Sequence, residues 1–338
     1  MKVRIDEIGA ICRRSLPFLT ETRIEGCNLL CFRGDSVFAT DGTKFIVFSK
    51  NPIAGLGIDA GVDGQLLSQF ASSMPKDCEV EAEAGEDSIA FSHGGSRAVF
   101  PLVKSNIELD VPDGIEWRDI DGGFKDAVEF CAKILMEDCI EPYNGICRIA
   151  DGHAWGTDQL TVRRADVASI GSCAPFFIPK GICDIISAGG ITGIGLTEDR
   201  IFCRGDGFVA GSRLPIVDSY PDLEGVVGKC AGGSRVEFPN GMVEALRRAS
   251  IFCEGKNRQD RKVLIRVAKG QIQIRAKQMR GSYADSIPLG MANPPRLAFS
   301  MNPDDLADLI GKAEGISVGD DFFRAEWNGR LLLASLMD

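Results

Sequence analysis

A short module of helix, strand, acidic turn and strand occurs three times in this chain of 338 residues, and it limits the fold more than any single motif does. It reads LLSQFASSMPKDCEVEAEAGEDSIAFSHGGSRAVFPL from Leu66, ICDIISAGGITGIGLTEDRIFCRGDGFVAGSRLP from Ile182 and LADLIGKAEGISVGDDFFRAEWNGRLLLASLM from Leu306. The acidic turns Glu86-Asp87, Glu198-Asp199 and Asp320-Asp321 stand about 112 and then about 122 residues apart. That period is too long for a solenoid unit and suits three homologous domains. An earlier helix precedes each module. Its apolar stripe is Ile5, Ile8, Ile11, Cys12 and Leu16 in the first third, Phe124, Val128, Cys131 and Leu135 in the second, and Met242, Leu246, Ala249 and Phe252 in the last. Short alternating runs follow, such as NLLCFRG and SVFATD, and VLIRVAKG and QIQIRAK form a hairpin around Lys269-Gly270. Each third therefore reads helix, strands, helix, strands, an α+β arrangement of antiparallel sheets with helices on one face. Turn-rich stretches at 110–114 and 220–233 set the domains at 1–113, 114–224 and 225–338.

Composition narrows the function. Lysine and arginine number 38 against 48 aspartates and glutamates, a net charge of −10, which argues against a protein that holds nucleic acid by bulk attraction and leaves room for a basic patch on an acidic body. The twelve cysteines include no C-x-x-C pair, so they read as reduced, buried apolar residues. With only His93 and His153 present, a histidine metal site is not expected. No apolar run reaches the ~18 residues of a membrane span and no secretory signal is visible, so the expectation is a cytoplasmic protein with no membrane partner.

Several segments carry a resemblance. GCNLL, FATDGTKF and MPKDCEVEAEAGEDSIAFSHGGSRAVF in the first third, PYNGI, GTDQL and SRLPIVDSYPDLEGVV in the second, and ALRRASIFCEGKNRQDRKVLIRVAKGQIQIRA, GSYADSI and FSMNPDDLADLI in the last resemble, in order, the three domains of the β-type sliding clamp, the processivity subunit of bacterial DNA polymerase III. The resemblance spans essentially the whole chain. Two segments depart from it: the family's Thr-Asp-Gly-His-Arg-Leu is here Thr157-Asp158-Gln159-Leu160, and its terminal Met-Pro-Met run is here Leu332 to Asp338. A divergent chromosomal clamp and a bacteriophage-encoded one both fit these departures.

The resemblance implies three tandem clamp domains in a head-to-tail homodimer that closes a ring around double-stranded DNA, helices lining the hole and sheets outside. It implies sequence-independent DNA contact and tethering of a replicative DNA polymerase, a clamp loader and other proteins with a clamp-binding motif. No cofactor, metal or catalytic residue is implied. Candidates for the DNA-facing set are Arg13, Arg14, Lys76, Lys125, Lys133, Lys180, Arg247, Arg248 and Lys312, of which Arg247 and Arg248 lie off the apolar stripe of their helix. The loop cations Lys256, Arg258, Arg261 and Lys262 are a weaker set. Carried over by position, the partner-peptide pocket is Tyr143, Thr157, Leu160, Pro221, Val226, Leu332 and Leu336, with Leu332, Ala334 and Leu336 sharing one strand face. Two other readings stand beside this one. An enzyme is disfavoured, because the Gly-rich stretches 55–61 and 189–195 lack the full dinucleotide fingerprint and no Walker sequence, nucleophile elbow or H-E-x-x-H occurs. A clamp-like docking module that does not encircle DNA is separated from a ring by its oligomeric state.

Overall fold

The computed structural model describes every residue except 21–25, 108, 110, 138, 168–173, 254, 256–260, 291–295, 311, 314, 315, 320, 337 and 338. Short 3-10 turns aside, the described elements form three runs of one pattern. The first is β1 (Lys2–Arg4), α1 (Ile5–Ser15), β2 (Leu29–Arg33), β3 (Ser36–Thr40), β4 (Lys44–Phe48), β5 (Asp59–Asp63), α2 (Gly64–Ser73), β6 (Glu79–Ala84), β7 (Ser88–His93) and β8 (Ser96–Pro101). The second is β9 (Trp117–Asp119), α3 (Gly122–Ala132), β10 (Ile146–Ala150), β11 (His153–Thr157), β12 (Thr161–Asp166), β13 (Phe176–Pro179), α4 (Lys180–Ser187), β14 (Ile191–Leu196), β15 (Arg200–Gly205) and β16 (Phe208–Arg213). After α5 (Leu223–Lys229), the third is β17 (Ser234–Val236), α6 (Met242–Ser250), β18 (Val263–Ala268), β19 (Gln271–Gln278), β20 (Gly281–Pro288), β21 (Leu297–Met301), α7 (Pro303–Leu309), β22 (Ile316–Val318), β23 (Phe322–Trp327) and β24 (Arg330–Ser335).

The helices follow from their stripes. In α1, Ile5, Ile8 and Cys12 are buried, with Asp6 and Glu7 in the first turn and Arg13 and Arg14 in the last, each charge favourable to the helix dipole. In α6, Met242, Ala245, Leu246 and Ala249 are buried while Arg247 and Arg248 point outward. The hairpin at Lys269-Gly270 forms with both residues left-handed, at φ 52° and 72°, the conformation that a tight two-residue turn requires. One expectation is corrected. The 220–233 stretch is not only turn: α5 stands inside it, started by Asp222, whose side chain accepts from the Gly225 amide at 2.9 Å.

The chain divides into two compact units, Met1–Glu129 with Phe177–Ile216, and Phe130–Phe176 with Val217–Asp338. The division cuts the second run, because the strands of that run go to two sheets. In the first unit an eight-stranded antiparallel sheet has the order β5-β2-β3-β4-β16-β15-β14-β9, and a four-stranded sheet the order β1-β6-β7-β8. In the second unit the eight-stranded order is β13-β10-β11-β12-β24-β23-β22-β17 and the four-stranded order β20-β19-β18-β21. Each long sheet thus joins half of one run to half of the next, at β4·β16 and at β12·β24. Both joints have one register: Phe48 lies opposite Phe208, and Ala165 opposite Arg330.

Each unit has its core between sheets and helices. In the first, α1 packs on α2, and Phe70 of α2 meets Phe91 and Phe100 of the four-stranded sheet at 6.0 and 5.5 Å between ring centres. In the second, α6 packs on α7 and on β18 to β20, and Phe299 meets Phe323 at 5.7 Å.

Candidate functional site

The turn between β11 and β12 is built by the residues Thr157-Asp158-Gln159-Leu160-Thr161. Buried Thr157 donates its hydroxyl to the Thr161 carbonyl at 2.9 Å and accepts from the Gln159 amide at 3.1 Å. Asp158 accepts from the amides of Leu160 and Thr161 at 3.1 and 2.7 Å. The same bonds recur at Thr40-Asp41-Gly42-Thr43-Lys44, where Thr40 donates to the Lys44 carbonyl at 2.8 Å and accepts from the Gly42 amide at 3.0 Å. The shared position is left-handed in both, φ 90° at Gly42 and φ 75° at Gln159. A glycine takes that conformation freely, whereas a glutamine is strained in it. The Gln159 side chain then reaches the Tyr143 hydroxyl, its amide nitrogen donating at 3.4 Å.

Tyr143 sits in a 3-10 turn, Pro142–Gly145, and meets Tyr220 edge-on with ring centres 6.5 Å apart. Tyr220 lies against an apolar cluster of Trp155, Val162, Leu331 and Leu333 from the sheet and Leu223 and Val227 from α5. Burial raises the Tyr220 phenol above its ordinary range, so the ring stays uncharged. Arg148 lies over the Tyr220 ring at 5.4 Å, and Arg164 over Trp155 at 5.7 Å. Arg324 donates to the Val227 and Cys230 carbonyls at 3.0 and 3.2 Å and closes the C-terminal end of α5. Val226, on the other side of α5 from Leu223 and Val227, is 41% exposed.

Of the seven pocket candidates, Tyr143 packs on Tyr220, Thr157 lies beside Val162 in the sheet, Val226 is on α5, and Pro221 stands just before α5, where its carbonyl accepts from the Leu223 amide. Leu160 and Leu336 are half-buried at the sheet end, where the Ser335 amide donates to the Leu160 carbonyl at 2.7 Å. Leu332 does not join them. It pairs across the ladder with Arg163 and faces the opposite side of the sheet, so Leu331 and Leu333, not the alternate residues, line the α5 side. A concavity on that opposite side is lined by Leu160, Thr161, Ala334, Ser300, Asn302 and Asp305. The C-terminal Asp338 lies outside the described residues.

Arg163 is the buried neighbour of these residues that sequence reasoning missed. It is 2% exposed, donates to Asp305 at 2.7 Å and to the Phe130 carbonyl at 2.9 Å, and lies over the Phe130 ring at 4.8 Å. Burial lowers its guanidinium to about 10. It fixes β12, and with it the turn from Thr157 to Thr161, to α7.

The basic candidates fall into three groups. Lys76, Lys133 and Lys312 lie just beyond α2, α3 and α7, not on them. Lys133 and Lys312 both pair with Asp308, at 3.4 and 3.6 Å, and Lys180 pairs with Asp184 one turn on. Arg14 lies over the Phe208 ring at 4.5 Å, and Arg248 pairs with Asp285 at 3.3 Å. Arg13, Lys125 and Arg247 are on helices and make no ion pair among the described residues. Lys256 and Arg258 lie outside the described residues, and Arg261 pairs with Asp304 at 3.0 Å. Among the described residues no group of His, Cys, Asp and Glu is placed to hold a metal ion, and no helix is long and apolar enough to cross a membrane.

The sequence matches no protein-family model and no curated protein. Solved structures do match. The DNA polymerase III subunit beta of Pseudomonas aeruginosa superposes with a TM-score of 0.73 at 17% identity, over 100% of this chain and 99% of that one. The DNA polymerase III beta subunit of Thermotoga maritima gives 0.77 at 14%, over 100% and 98%. This is the sliding-clamp fold. The Helicobacter pylori beta clamp bound to a DNA ligase peptide also matches, at 0.71 and 12% identity over 100% of both chains. The clamp fold accounts for the α+β pattern of the three runs, and the likeness extends over the whole of the chain.

Proposed function

We propose that the chain is a DNA sliding clamp: a non-enzymatic processivity factor, working without a cofactor in the cytoplasm, that encircles duplex DNA as a head-to-tail homodimer. The observation that carries this reading is the end-to-end match to clamp structures, 100% of the chain against 98 to 100% of theirs. The threefold element pattern supports domains at 1–113, 114–224 and 225–338. A closed ring stays on DNA by topology, so it needs only weak phosphate contacts, and a net charge of −10 is no obstacle. Arg13, Lys125 and Arg247 are the helix cations best suited to such contacts, since the others are engaged by carboxylates or rings.

Partner proteins dock, on this reading, through a short peptide laid over the sheet end at Tyr143, Thr157, Leu160, Pro221, Val226 and Leu336. The Helicobacter pylori clamp binds a DNA ligase peptide, and the apolar cluster under Tyr220 supplies the firm floor that apolar anchors need. Polymerase and loader are the proposed users of the same face.

Retention on DNA tests the ring. The protein is loaded onto a nicked plasmid with a purified bacterial clamp loader and ATP, washed in high salt, and the plasmid is then cut once. A ring stays on the circle and leaves on cutting, because screened electrostatics cannot hold it. Release by salt from the intact circle would replace the ring with a docking module. Arg247→Glu is expected to lower processive synthesis several-fold while the protein remains a dimer.

A further inference from the structure

One face of the sheet β20-β19-β18-β21 packs on α6, and its other face carries charge of a single sign. Between Val263 and Gly290 the chain has five basic residues, Arg266, Lys269, Arg275, Lys277 and Arg280, and one carboxylate, Asp285, in a protein whose net charge is −10. Strand alternation sorts them between the faces. Val263, Ile265 and Val267 of β18 and Ile272, Ile274 and Ala276 of β19 are buried, so Leu264, Arg266, Arg275 and Lys277 point the opposite way and are exposed. Asp285 lies on the helix side, where Arg248 of α6 donates to it at 3.3 Å. The outward positions of β20 and β21 are Ser282, Ala284, Ser286, Ala298 and Ser300, so no carboxylate stands on this face among the described residues.

The ladder sets three of the cations in a row. Arg266 pairs with Gln273, which puts it diagonal to Arg275, and Arg275 and Lys277 follow each other on the outward face of β19. Diagonal neighbours on a sheet face lie about 7–8 Å apart, and alternate residues of one strand about 6.6–6.8 Å. None of the three makes an ion pair among the described residues. The outward face of the first unit's four-stranded sheet is handled differently. There Glu79, Glu81 and Glu83 alternate along β6, and Lys2 pairs with Glu79 at 3.6 Å and Arg97 with Glu83 at 3.4 Å. That sheet balances its charge from within, whereas the row on β18 and β19 is left with mutual repulsion and no counter-charge of its own.

We propose that the outward face of β18 and β19 docks an extended acidic peptide of a partner protein, whose carboxylates at alternate positions meet Arg266, Arg275 and Lys277. The match is one of spacing as well as sign. An extended peptide repeats its side chains on one face at the same about 6.6–6.8 Å as the cations. Each arginine can take a carboxylate through two parallel hydrogen bonds, and the arriving charges relieve the repulsion within the row. Leu264 is 42% exposed and stands directly opposite Arg275, so an apolar side chain of the peptide has a contact beside the central cation. The small residues Ser282 and Ala284, opposite Lys277 and Arg275, leave the row open on its other flank.

A peptide suits this face better than a nucleic acid does. Proteins that hold single strands stack bases on aromatic rings, and no ring stands on the outward face. The aromatic pair of this sheet, Tyr283 and Phe252, stacks at 6.1 Å on the helix side, where the Tyr283 hydroxyl accepts from Arg248 at 3.0 Å. Lys269 and Arg280, at the turns on either side of β19, extend the positive field beyond the row and would steer an acidic segment toward it. The surface lies on a different sheet from the Tyr143 and α5 face, and on the side of its own sheet away from Arg247, so it stands independently of the peptide and DNA contacts proposed above.

The test is fluorescence anisotropy of the full chain with a labelled peptide of alternating glutamate and valine, over a series of salt concentrations. Binding at low salt that weakens as salt rises is expected, and Arg275→Glu should weaken it by about tenfold or more, as loss of a charge-assisted contact would. Arg275→Gln, which leaves the strand an outward polar side chain, should weaken it less, and Lys104→Glu, the same change of charge in the other unit, should leave it unchanged. Leu264→Ser is expected to weaken binding by a smaller factor that does not vary with salt, because an apolar contact is not screened. Equal losses from Lys104→Glu and Arg275→Glu would reduce the attraction to bulk charge and overturn the site. No binding by the unmodified protein at low salt would overturn it as well. A thymidine oligonucleotide that displaces the peptide, binds more tightly and is itself lost in Arg275→Glu would give the face to nucleic acid instead.

Discussion

Arg163 is a cation placed where water does not reach, and it is tolerated because the Asp305 carboxylate, the Phe130 carbonyl and the Phe130 ring surround it. Arg163→Ala would leave Asp305 buried without its cation, so a loss of about 3–5 kcal/mol is expected in denaturant unfolding. Nothing in the sequence announces this pair. Asp305 is 142 positions away, and an arginine in the middle of an alternating strand reads as an outward residue. Gln159 is a different residue-scale case. The Thr-Asp start of its turn is visible in the sequence at both Thr40 and Thr157, yet the shared left-handed position shows only when the two turns are set side by side. Gln159→Gly is expected to raise stability by about 0.5–1 kcal/mol in thermal unfolding, by removing backbone strain from the turn. The same change removes the hydrogen bond to the Tyr143 hydroxyl.

Among the elements, α5 shows how far turn chemistry misleads. Pro221 and the glycines at 225, 228, 232 and 233 made the stretch read as a boundary, and seven residues are too few to be helical alone. The helix exists because Asp222 caps it and because Leu223 and Val227, four apart, drop into the cluster around Trp155 and Leu333. That signal was present in the sequence, hidden by the glycines. Asp222→Ala should cost about 1 kcal/mol, read as a lower thermal midpoint, since the Gly225 amide would lose its acceptor. The longer helices were legible because their stripes are strong. Their ends were not: Lys76, Lys133 and Lys312 continue the charge pattern of a helix while lying past its last turn, a place where cations are favoured by the dipole.

At the scale of the whole molecule, the threefold repeat was the most legible feature, because helix and hairpin periodicities are local. The exchange of half-sheets between runs was not. A backbone ladder between Phe48 and Phe208 leaves no spacing in the sequence to read. Charge counting has a similar limit: five of the nine basic candidates are already engaged, by Asp308, Asp184, Asp285 or the Phe208 ring, so a tally of lysines and arginines on helices overstates what is free for phosphate. The joints inside the chain carry one more consequence. The strands of β4·β16 and β12·β24 are tethered by the polypeptide itself, so each finds its mate at a high effective concentration whatever the dilution.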